Sequence, residues 1–384
     1  MVLMVSMRRV MLGVVPTILV VGLGVQAAQA QTDTVYRWGG YKTVGFGAGG
    51  HQGVPTLVPG LSGVVALAAG NSASYALLAN GQEWAWGNNG EGQLGNNSRA
   101  NSLFNPVQVQ FPAGTVVKAI GEADDMAFAV DSNGQGWSWG WNGAGTLCLG
   151  NHRGRNVPTL VTGLSNLVAV EGGGGEVAWL TAGGAVYACG AVGTGDHTTP
   201  TLVTGLPAGD PAVAISAGNA YSTALLASGQ IWDWGLGRAG QLGDGSFQSS
   251  ALPVQVLLPT GTFATKVYSG GDLANDGHQL AVLNTGAVVS WGSNICGQLG
   301  AARAKRESVP VVVQVLHGMS VSAVAAGGST SYVIDTSGNL WAWGSNKGGQ
   351  VRQPSSRCAG SPTLVDTGVD MISATASDVL DHHS

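Results

Sequence analysis

Short segments of alternating apolar and polar residues recur along the chain, and most of them end in an aromatic pair followed by glycine. The segment Asn80–Asn96 reads NGQEWAWGNNGEGQLGN, a turn dipeptide followed by a strand with Trp84 and Trp86 and then a polar loop. Alternation with a period of two predicts a strand with one buried face, and Asn-Gly predicts a tight hairpin turn. No helical periodicity appears after residue 30, so the fold class is predicted to be all-β.

The aromatic-glycine strand recurs seven times, with steps between the glycines of 48, 53, 50, 45, 57 and 52 residues. Each unit carries four strand signals, including a proline before an apolar run and a Val-x-x-Val/Ile-Ala-Ala-Gly segment. One such small sheet cannot bury both of its faces, so neighbouring units must stack, and four-stranded units around an axis form a β-propeller. The seven strand endings are Tyr36–Gly39, Trp84–Gly87, Trp137–Gly140, Tyr187–Gly190, Trp232–Gly235, Val289–Gly292 and Trp341–Gly344.

The two ends of the chain carry complementary parts of one unit. The stretch TVYRWGG begins at Thr34 and supplies a third strand, whereas VDMISATASDVLDHHS begins at Val369 and has only the start of a unit. We therefore predict a seven-bladed β-propeller of four-stranded blades, closed by pairing of the N- and C-terminal strands. Residues 31–384 are predicted to form this single domain.

The first thirty residues differ from the rest. Arg8 and Arg9 precede an apolar run from Val10 to Val25, and Ala28-Gln29-Ala30 follows. This order is typical of a secretory signal peptide cleaved after Ala30. A membrane anchor is the less favoured alternative, because the small-residue cleavage site follows the apolar run at once. We expect an exported protein, periplasmic or extracellular, with no stable membrane insertion after cleavage.

Composition limits the partners. Only 10% of the residues are charged, against about 25% in an average soluble domain. Removing the leader takes away two of the 16 basic residues and none of the 21 acidic ones, so the mature chain has a formal charge of 14 − 21 = −7. Nucleic-acid binding needs basic surface to neutralise phosphates. The charge balance therefore argues against a nucleic-acid partner.

Four cysteines can form disulfides in an exported protein, and three pairings are open. Cys296 and Cys358 lie in equivalent loops of adjacent repeats, which favours a disulfide between them. No pair has the CxxC spacing of a zinc site, and no metal is expected.

The repeated motifs resemble the regulator of chromosome condensation repeat family. The best match combines Ala69-Gly70, Trp86-Gly87, the GQLG of Gly92–Gly95, and Pro106-Val107. The resemblance implies a seven-bladed propeller that binds through the loops after Ala-Gly. It also offers an alternative, guanine-nucleotide exchange, which the export signal disfavours. The chain departs from the family in two ways: the histidine of the usual His-Ser pair occurs in one repeat only, as His278, and the third repeat lacks GQLG.

Motifs of catalysis and cofactor binding are missing from the sequence. There is no HExxH and no Walker-type loop, and the GxGxxG of Gly235–Gly240 follows a strand without opening a helix. We expect a non-enzymatic protein without a cofactor. The enzymatic alternative is a hydrolase or lyase that uses carboxylates at the mouth of the propeller channel.

Equivalent turns of a propeller lie on one side of the ring, so the unrepeated residues after Ala-Gly should share a face. Many of them are acidic, and a field of one sign attracts partners of the opposite sign. We predict a binding face for a protein with a basic loop, the alternative being ordinary solvated turns. Trp141 and Phe247 are expected on the opposite rim. The predicted face residues are Asn71, Ser72, Glu122, Asp124, Asp125, Glu176, Asn219, Tyr221, Asp272, Asp276, Ser329 and Asp378.

Overall fold

The computed structural model describes residues 2–6, 34–38, 55–70, 72–191, 197–271, 277–301, 304–316, 318–352 and 357–374. Within these ranges the regular structure is β-strand throughout, apart from one 3-10 turn at Gln314–Leu316. The predicted all-β class is confirmed.

Six blades are formed by four consecutive antiparallel strands each, running from the inner to the outer edge of the blade. Blade 1 contains β4 (Val64–Ala69), β5 (Ala73–Leu78), β6 (Glu83–Gly87) and β7 (Ser102–Gln108). Blade 2 contains β8 (Val117–Ala123), β9 (Met126–Asp131), β10 (Gly136–Gly140) and β11 (Arg155–Val161). Blade 3 contains β12 (Leu167–Gly172), β13 (Glu176–Thr181), β14 (Val186–Gly190) and β15 (His197–Leu202). Blade 4 contains β16 (Ala212–Gly218), β17 (Tyr221–Leu226), β18 (Ile231–Gly235) and β19 (Ser250–Gln255). Blade 5 contains β20 (Ala264–Gly270), β21 (His278–Leu283), β22 (Val288–Ser293) and β23 (Arg306–Val312). Blade 6 contains β24 (Val321–Gly327), β25 (Thr330–Asp335), β26 (Leu340–Ser345) and β27 (Cys358–Asp366).

The remaining four-stranded sheet, here called the closing sheet, is assembled from both ends of the chain. Its strand order is β28 (Val369–Ala374), β1 (Val2–Ser6), β2 (Thr34–Trp38) and β3 (Thr56–Val58). Strand β1 is antiparallel to both neighbours and joins the C-terminal strand to the N-terminal ones. Six blades are thus continuous in sequence, where seven blades were predicted. The reason is that the last repeat contributes only its inner strand within the described residues.

The ring closes through its inner strands. Strands β4, β8, β12, β16, β20, β24 and β28 contact one another in that cyclic order, and β28 contacts β4. The apolar core lies in layers between neighbouring blades. The closing sheet packs on both sides, with Val35 beside Trp86 of blade 1 and Trp38 beside Tyr332 of blade 6. The prediction that units must stack to bury their faces is confirmed.

A tryptophan in the third strand fastens each of several blades to the blade before it. The Trp139 indole N–H of blade 2 donates to the carbonyl of Gln93 in the GQLG loop of blade 1, at 2.8 Å. Glycine ends that loop because φ of Gly95 is 62° and a Cβ there would lie 2.7 Å from Trp139 Nε1. We call this contact the Trp–Gly joint. Its hydrogen bond recurs from Trp291 to Gln241 (3.0 Å), Trp343 to Gln298 (2.7 Å) and Trp38 to Gln350 (3.0 Å).

Blade 3 replaces this joint with a disulfide. Cys189 stands at the tryptophan position of its third strand, and Cys148 stands at the glycine position of the preceding loop, with φ of 59°. The two are bonded, with their Cα atoms 5.6 Å apart. The sequence GTLC in the loop of the second repeat therefore forms the turn that GQLG forms elsewhere. The loop of the third repeat, which lacks GQLG, lies mostly outside the described residues. Gly145 and the buried Leu147 preserve the turn where the motif letters do not.

The second disulfide also joins neighbouring blades. It bonds Cys296 of the blade 5 loop to Cys358 of the outer strand of blade 6, with Cα atoms 5.0 Å apart. This is the pairing that the sequence favoured.

Prolines protect the outer edges of the blades. An outer strand presents unpaired backbone groups that invite edge-to-edge association, and proline blocks such pairing by removing a donor. The repeated prolines of the sequence lie in the outer strands or immediately before one, as Pro106, Pro158, Pro200, Pro253, Pro310, Pro362 and Pro55.

One core position breaks the apolar pattern. Glu83 is 1% exposed and pairs with Leu77 in the layer between blades 1 and 2. Among the described residues neither carboxylate oxygen has a hydrogen-bond partner. Burial raises the pKa of Glu83 well above its usual range, because the charged form loses its hydration. The equivalent residue of blade 2 is Gly136, and those of the other five sheets are Val35, Val186, Ile231, Val288 and Leu340.

Replacing Glu83 should stabilise the fold. Since Leu340 fills the equivalent position of blade 6, Glu83→Leu should raise the free energy of unfolding at pH 7 by about 1–3 kcal/mol, the cost of an unpaired buried polar group. The raised pKa means that the folded state binds this proton more tightly than the unfolded state. Stability from this group is therefore complete below the unfolded pKa and is lost as the pH rises through the folded pKa.

Urea unfolding of wild type, E83L and E83Q between pH 4 and pH 9 measures this effect. The difference between wild type and E83L should grow with pH. A difference that is constant, or that shrinks as the pH rises, would show that Glu83 does not titrate in this layer.

Candidate functional site

Among the described residues, the turns after the inner strands and the loops after the third strands lie on the same face. Four antiparallel strands place their first and third connections at one end, and contacts in blade 1 demonstrate this: Asn88 N–H donates to the Ser72 carbonyl at 2.8 Å. We call this end the loop face. The prediction that Trp141 and Phe247 occupy the opposite rim is therefore wrong. Both lie on the loop face and are 38% and 36% exposed.

A small cavity opens at the centre of this face, where the inner strands end around the axis. Its volume is about 40 Å³, which holds about three water molecules. Glycine and alanine form much of the wall. The polar side chains that line it are Glu122, Asp124, Glu171, Tyr268 and Ser269.

Two carboxyl groups of this axial cavity have altered acidity. Burial, with the nearby charges of Asp124 and Glu171, raises the pKa of Glu122 well above its usual range. Burial raises the pKa of Glu171 to about 8. Glu171 is therefore mostly protonated at neutral pH, and the two raised pKa values make the cavity less negative than its formal charge.

Asp125 and Ser72 connect blades 1 and 2. The Ser72 hydroxyl donates to Asp125 Oδ1, and the Gln93 amide donates to both Asp125 Oδ1 and Ser72 Oγ, at 2.8 Å each. Ser72 is buried, and Asp125 is half-buried. These two predicted face residues anchor the GQLG loop, which leaves Asp124 as the acidic residue of this turn that faces the cavity.

Glu176 and Tyr221 were predicted on the face and lie inside the ring instead. Glu176 is 1% exposed and accepts a hydrogen bond of 2.5 Å from Ser222 of the next blade. Burial raises its pKa to about 7, although the Ser222 hydrogen bond opposes the shift. The Tyr221 hydroxyl is fully buried, 2.6 Å from the carbonyl of Gly270 and 2.9 Å from that of His278.

The signal that could have excluded these two residues is their place in the repeat. Each is the first residue of a second strand, the position that carries histidine in the family. His278 occupies it in blade 5, where its Nε2 lies 2.9 Å from the hydroxyl of Ser331 in blade 6. That hydroxyl donates to the Gln298 carbonyl, so His278 is the donor to it. This position holds blades together and does not face solvent.

The other predicted face residues divide into two groups. Asn219 is half-buried and Ser329 is 4% exposed, and both take part in polar contacts. The rest lie outside the described residues and are Asn71, Asp272, Asp276 and Asp378.

Two other kinds of feature are absent from the described ranges. They contain neither a cluster of metal-ligating side chains nor a helix that could span a membrane.

Two profiles of the regulator of chromosome condensation repeat match the chain. One matches residues 80–130, 228–274 and 285–334, and the other matches residues 64–93 and 321–350. The mitochondrial RCC1 domain-containing protein RUG3 of Arabidopsis thaliana is 29% identical over 343 residues, 88% of this chain and 66% of its own length. This chain thus spans slightly less than two thirds of that relative. The Ultraviolet-B receptor UVR8 of the same plant is 29% identical over 79% of this chain and 70% of its own length.

Solved structures show the same architecture. Prp20p of Saccharomyces cerevisiae superposes with a TM-score of 0.75 and 22% sequence identity, over 86% of this chain and 85% of that protein. The crystal structure of Prp20p was described together with its binding properties to Gsp1p and histones. At this identity the likeness establishes the propeller fold alone.

Proposed function

Since the chain carries regulator of chromosome condensation repeats, we propose that it is an exported, non-enzymatic binding module that holds a protein partner on its loop face. The observation that carries the proposal is the distribution of unrepeated residues. The side chains that repeat from blade to blade form contacts between blades. Asp124, Glu171 and their neighbours surround the axis instead, and other blades have no equivalent residues. Binding of protein partners also has a precedent on this fold, since Prp20p binds Gsp1p and histones.

The partner we propose presents a basic loop to the axial cavity. Asp124 supplies the negative charge at neutral pH, and Glu122 and Glu171 add to it when they ionise. The narrow cavity suits the tip of one side chain rather than a whole ligand. Encounter is favoured by opposite charge, and the surrounding turns supply shape.

A hydrolase or lyase is the second candidate, because two carboxyl groups with raised pKa share the cavity. The space of about 40 Å³ is smaller than one sugar ring, so binding is the better use of this site. Nucleotide exchange is a property of other family members and needs access to a cytosolic GTPase, which export would prevent.

We also propose a ring of seven blades in which the closing sheet acts as the seventh. Export raises a conflict here, since β1 (Val2–Ser6) lies within the leader predicted to be cleaved after Ala30. Cleavage would remove the strand that joins β28 to β2.

Intact mass of the protein recovered from its native host separates the two outcomes. Export with cleavage predicts a chain that begins at Gln31. A mature chain that retains Val2–Ser6 would contradict cleavage and leave β1 as a permanent part of the closing sheet.

The binding proposal predicts a pH-dependent affinity for cations. A labelled arginine-rich peptide should bind the full chain more tightly at pH 9 than at pH 7, because Glu171, with its pKa of about 8, ionises between these values and makes the cavity more negative. Asp124→Asn should weaken binding about three- to tenfold at low ionic strength, the range for loss of one favourable charge pair. Asparagine tolerates the positive φ of 38° at this position.

Asp370→Asn is the matched control, because Asp370 is exposed at the opposite end of an inner strand and loses the same charge. Fluorescence anisotropy measures both variants. Equal losses in D124N and D370N, or affinity that does not rise with pH, would rule out the axial cavity as the binding site.

A further inference from the structure

The basic residues of the chain are concentrated on the loop face, although the net charge of the chain is negative. The loops after the third strands, on the loop face, carry most of the lysine and arginine residues outside the leader. The acidic turns lie nearer the axis of the same face. The described basic residues in or beside these loops are Arg99, Arg153, Arg155, Arg238, Lys305, Arg306, Lys347, Arg352 and Arg357.

Five of these cations lie in or beside the loops of the consecutive blades 4, 5 and 6, and with two apolar neighbours we call them the basic sector. The Arg306 guanidinium lies 4.2 Å from the centre of the Phe247 ring and donates to the Arg238 carbonyl at 2.8 Å. This contact connects blade 4 to blade 5. The members of the basic sector are Arg238, Phe247, Ile295, Lys305, Arg306, Lys347 and Arg357.

Backbone hydrogen bonds hold the loops of blades 5 and 6 that present the other cations, and a disulfide links these two blades. The Lys305 carbonyl accepts from Asn294 N–H at 2.8 Å, next to Ile295, and Cys296 is bonded to Cys358. The Arg357 carbonyl accepts from Asn346 N–H at 2.8 Å, next to Lys347. The loops that present these cations are therefore held at fixed positions.

The cations of the sector are available to a partner. All five are exposed, and among the described residues their side chains form no ion pair. Arg99 and Arg352 differ, since they are paired with Glu91 and Asp366 at 3.8 Å and 3.0 Å. The nearby carboxylates of the described chain are Asp244, which accepts from Ser246, and the half-buried Glu307.

Two apolar side chains stand among the charges. Phe247 is 36% exposed beneath Arg306, and Ile295 is 63% exposed beside the disulfide. Aromatic residues with a stacked arginine are frequent anchors of protein interfaces, because the ring buries area while the cation stays hydrated. A phosphate backbone makes no use of an exposed isoleucine, and the negative turns nearer the axis oppose a long polyanion.

We propose that the basic sector binds an acidic protein segment that carries at least one large apolar side chain. This site goes beyond the function proposed for the axial cavity, since it uses different residues and a partner of opposite charge. Its failure or success leaves the cavity proposal unaffected.

A labelled eight-residue peptide with six carboxylates, one Phe and one Leu is the probe for the full chain. K305E/K347E should weaken its binding about tenfold at low ionic strength, since two attractions become repulsions. R153E/K118E is the matched control because it makes the same change in net charge outside the sector. Arg153 is exposed in blade 2 on the same face, and Lys118 is exposed near the start of the inner strand of blade 2, at the end away from the loop face. The control should change the affinity by less than twofold.

Three results would overturn the proposal. The first is no measurable binding of the acidic peptide, or equal losses in the two double variants. The second is equal binding of a peptide in which Gln and Asn replace the acids, which would make the contact apolar only. The third is tighter binding of a single-stranded oligonucleotide of the same charge, which would make the sector a nucleic-acid surface.

Discussion

The close approach of a tryptophan in one blade to a glycine in the blade before it is the constraint on which the ring depends. Between blades 1 and 2 the Trp139 indole donates to the Gln93 carbonyl, and Gly95 ends the loop with a positive φ and no side chain towards the ring. Cys148 and Arg352 end the corresponding loops of blades 2 and 6 and also have positive φ, so this backbone conformation recurs where glycine does not. Each joint fixes the distance and rotation between two blades. Its hydrogen bond recurs at four boundaries between the described sheets, where it positions the loops that supply the acceptor carbonyls.

Much of the fold could be predicted from the sequence because the residues that form the joint recur as a motif. The tryptophans equivalent to Trp86, the GQLG loops and the prolines repeat at similar spacing. That spacing alone predicts four-stranded blades and their stacking. The joint of blade 3 was missed because Cys148 and Cys189 replace glycine and tryptophan together. At this boundary a disulfide replaces the contact between tryptophan and glycine. A motif that is read one position at a time does not reveal that two positions have changed together.

The face was harder to predict than the fold. Asp124, Glu176 and Tyr221 all follow an inner strand in the sequence. Asp124 lines the cavity, whereas Glu176 and Tyr221 are buried between blades. Their position in the sequence does not distinguish these two environments. Side-chain direction in the second strand makes that difference. The charge of the face could not be predicted from formal charges for two reasons. Burial raises the pKa of Glu171 to about 8. The net charge of the chain also does not show that the cations are concentrated in particular loops. The loop face is thus divided into a weakly acidic centre and a basic sector.

The most direct test of the joint is the free energy of unfolding of Gly95→Ala beside Gly286→Ala. Both glycines have positive φ, 62° and 81°, but only Gly95 faces a tryptophan, and Gly286 has open space around it. The strain of a left-handed alanine should cost G286A about 1–2 kcal/mol, and G95A should lose about 1–3 kcal/mol more because Trp139 must move. Equal losses in the two variants would show that the Trp–Gly joint does not hold the blades together.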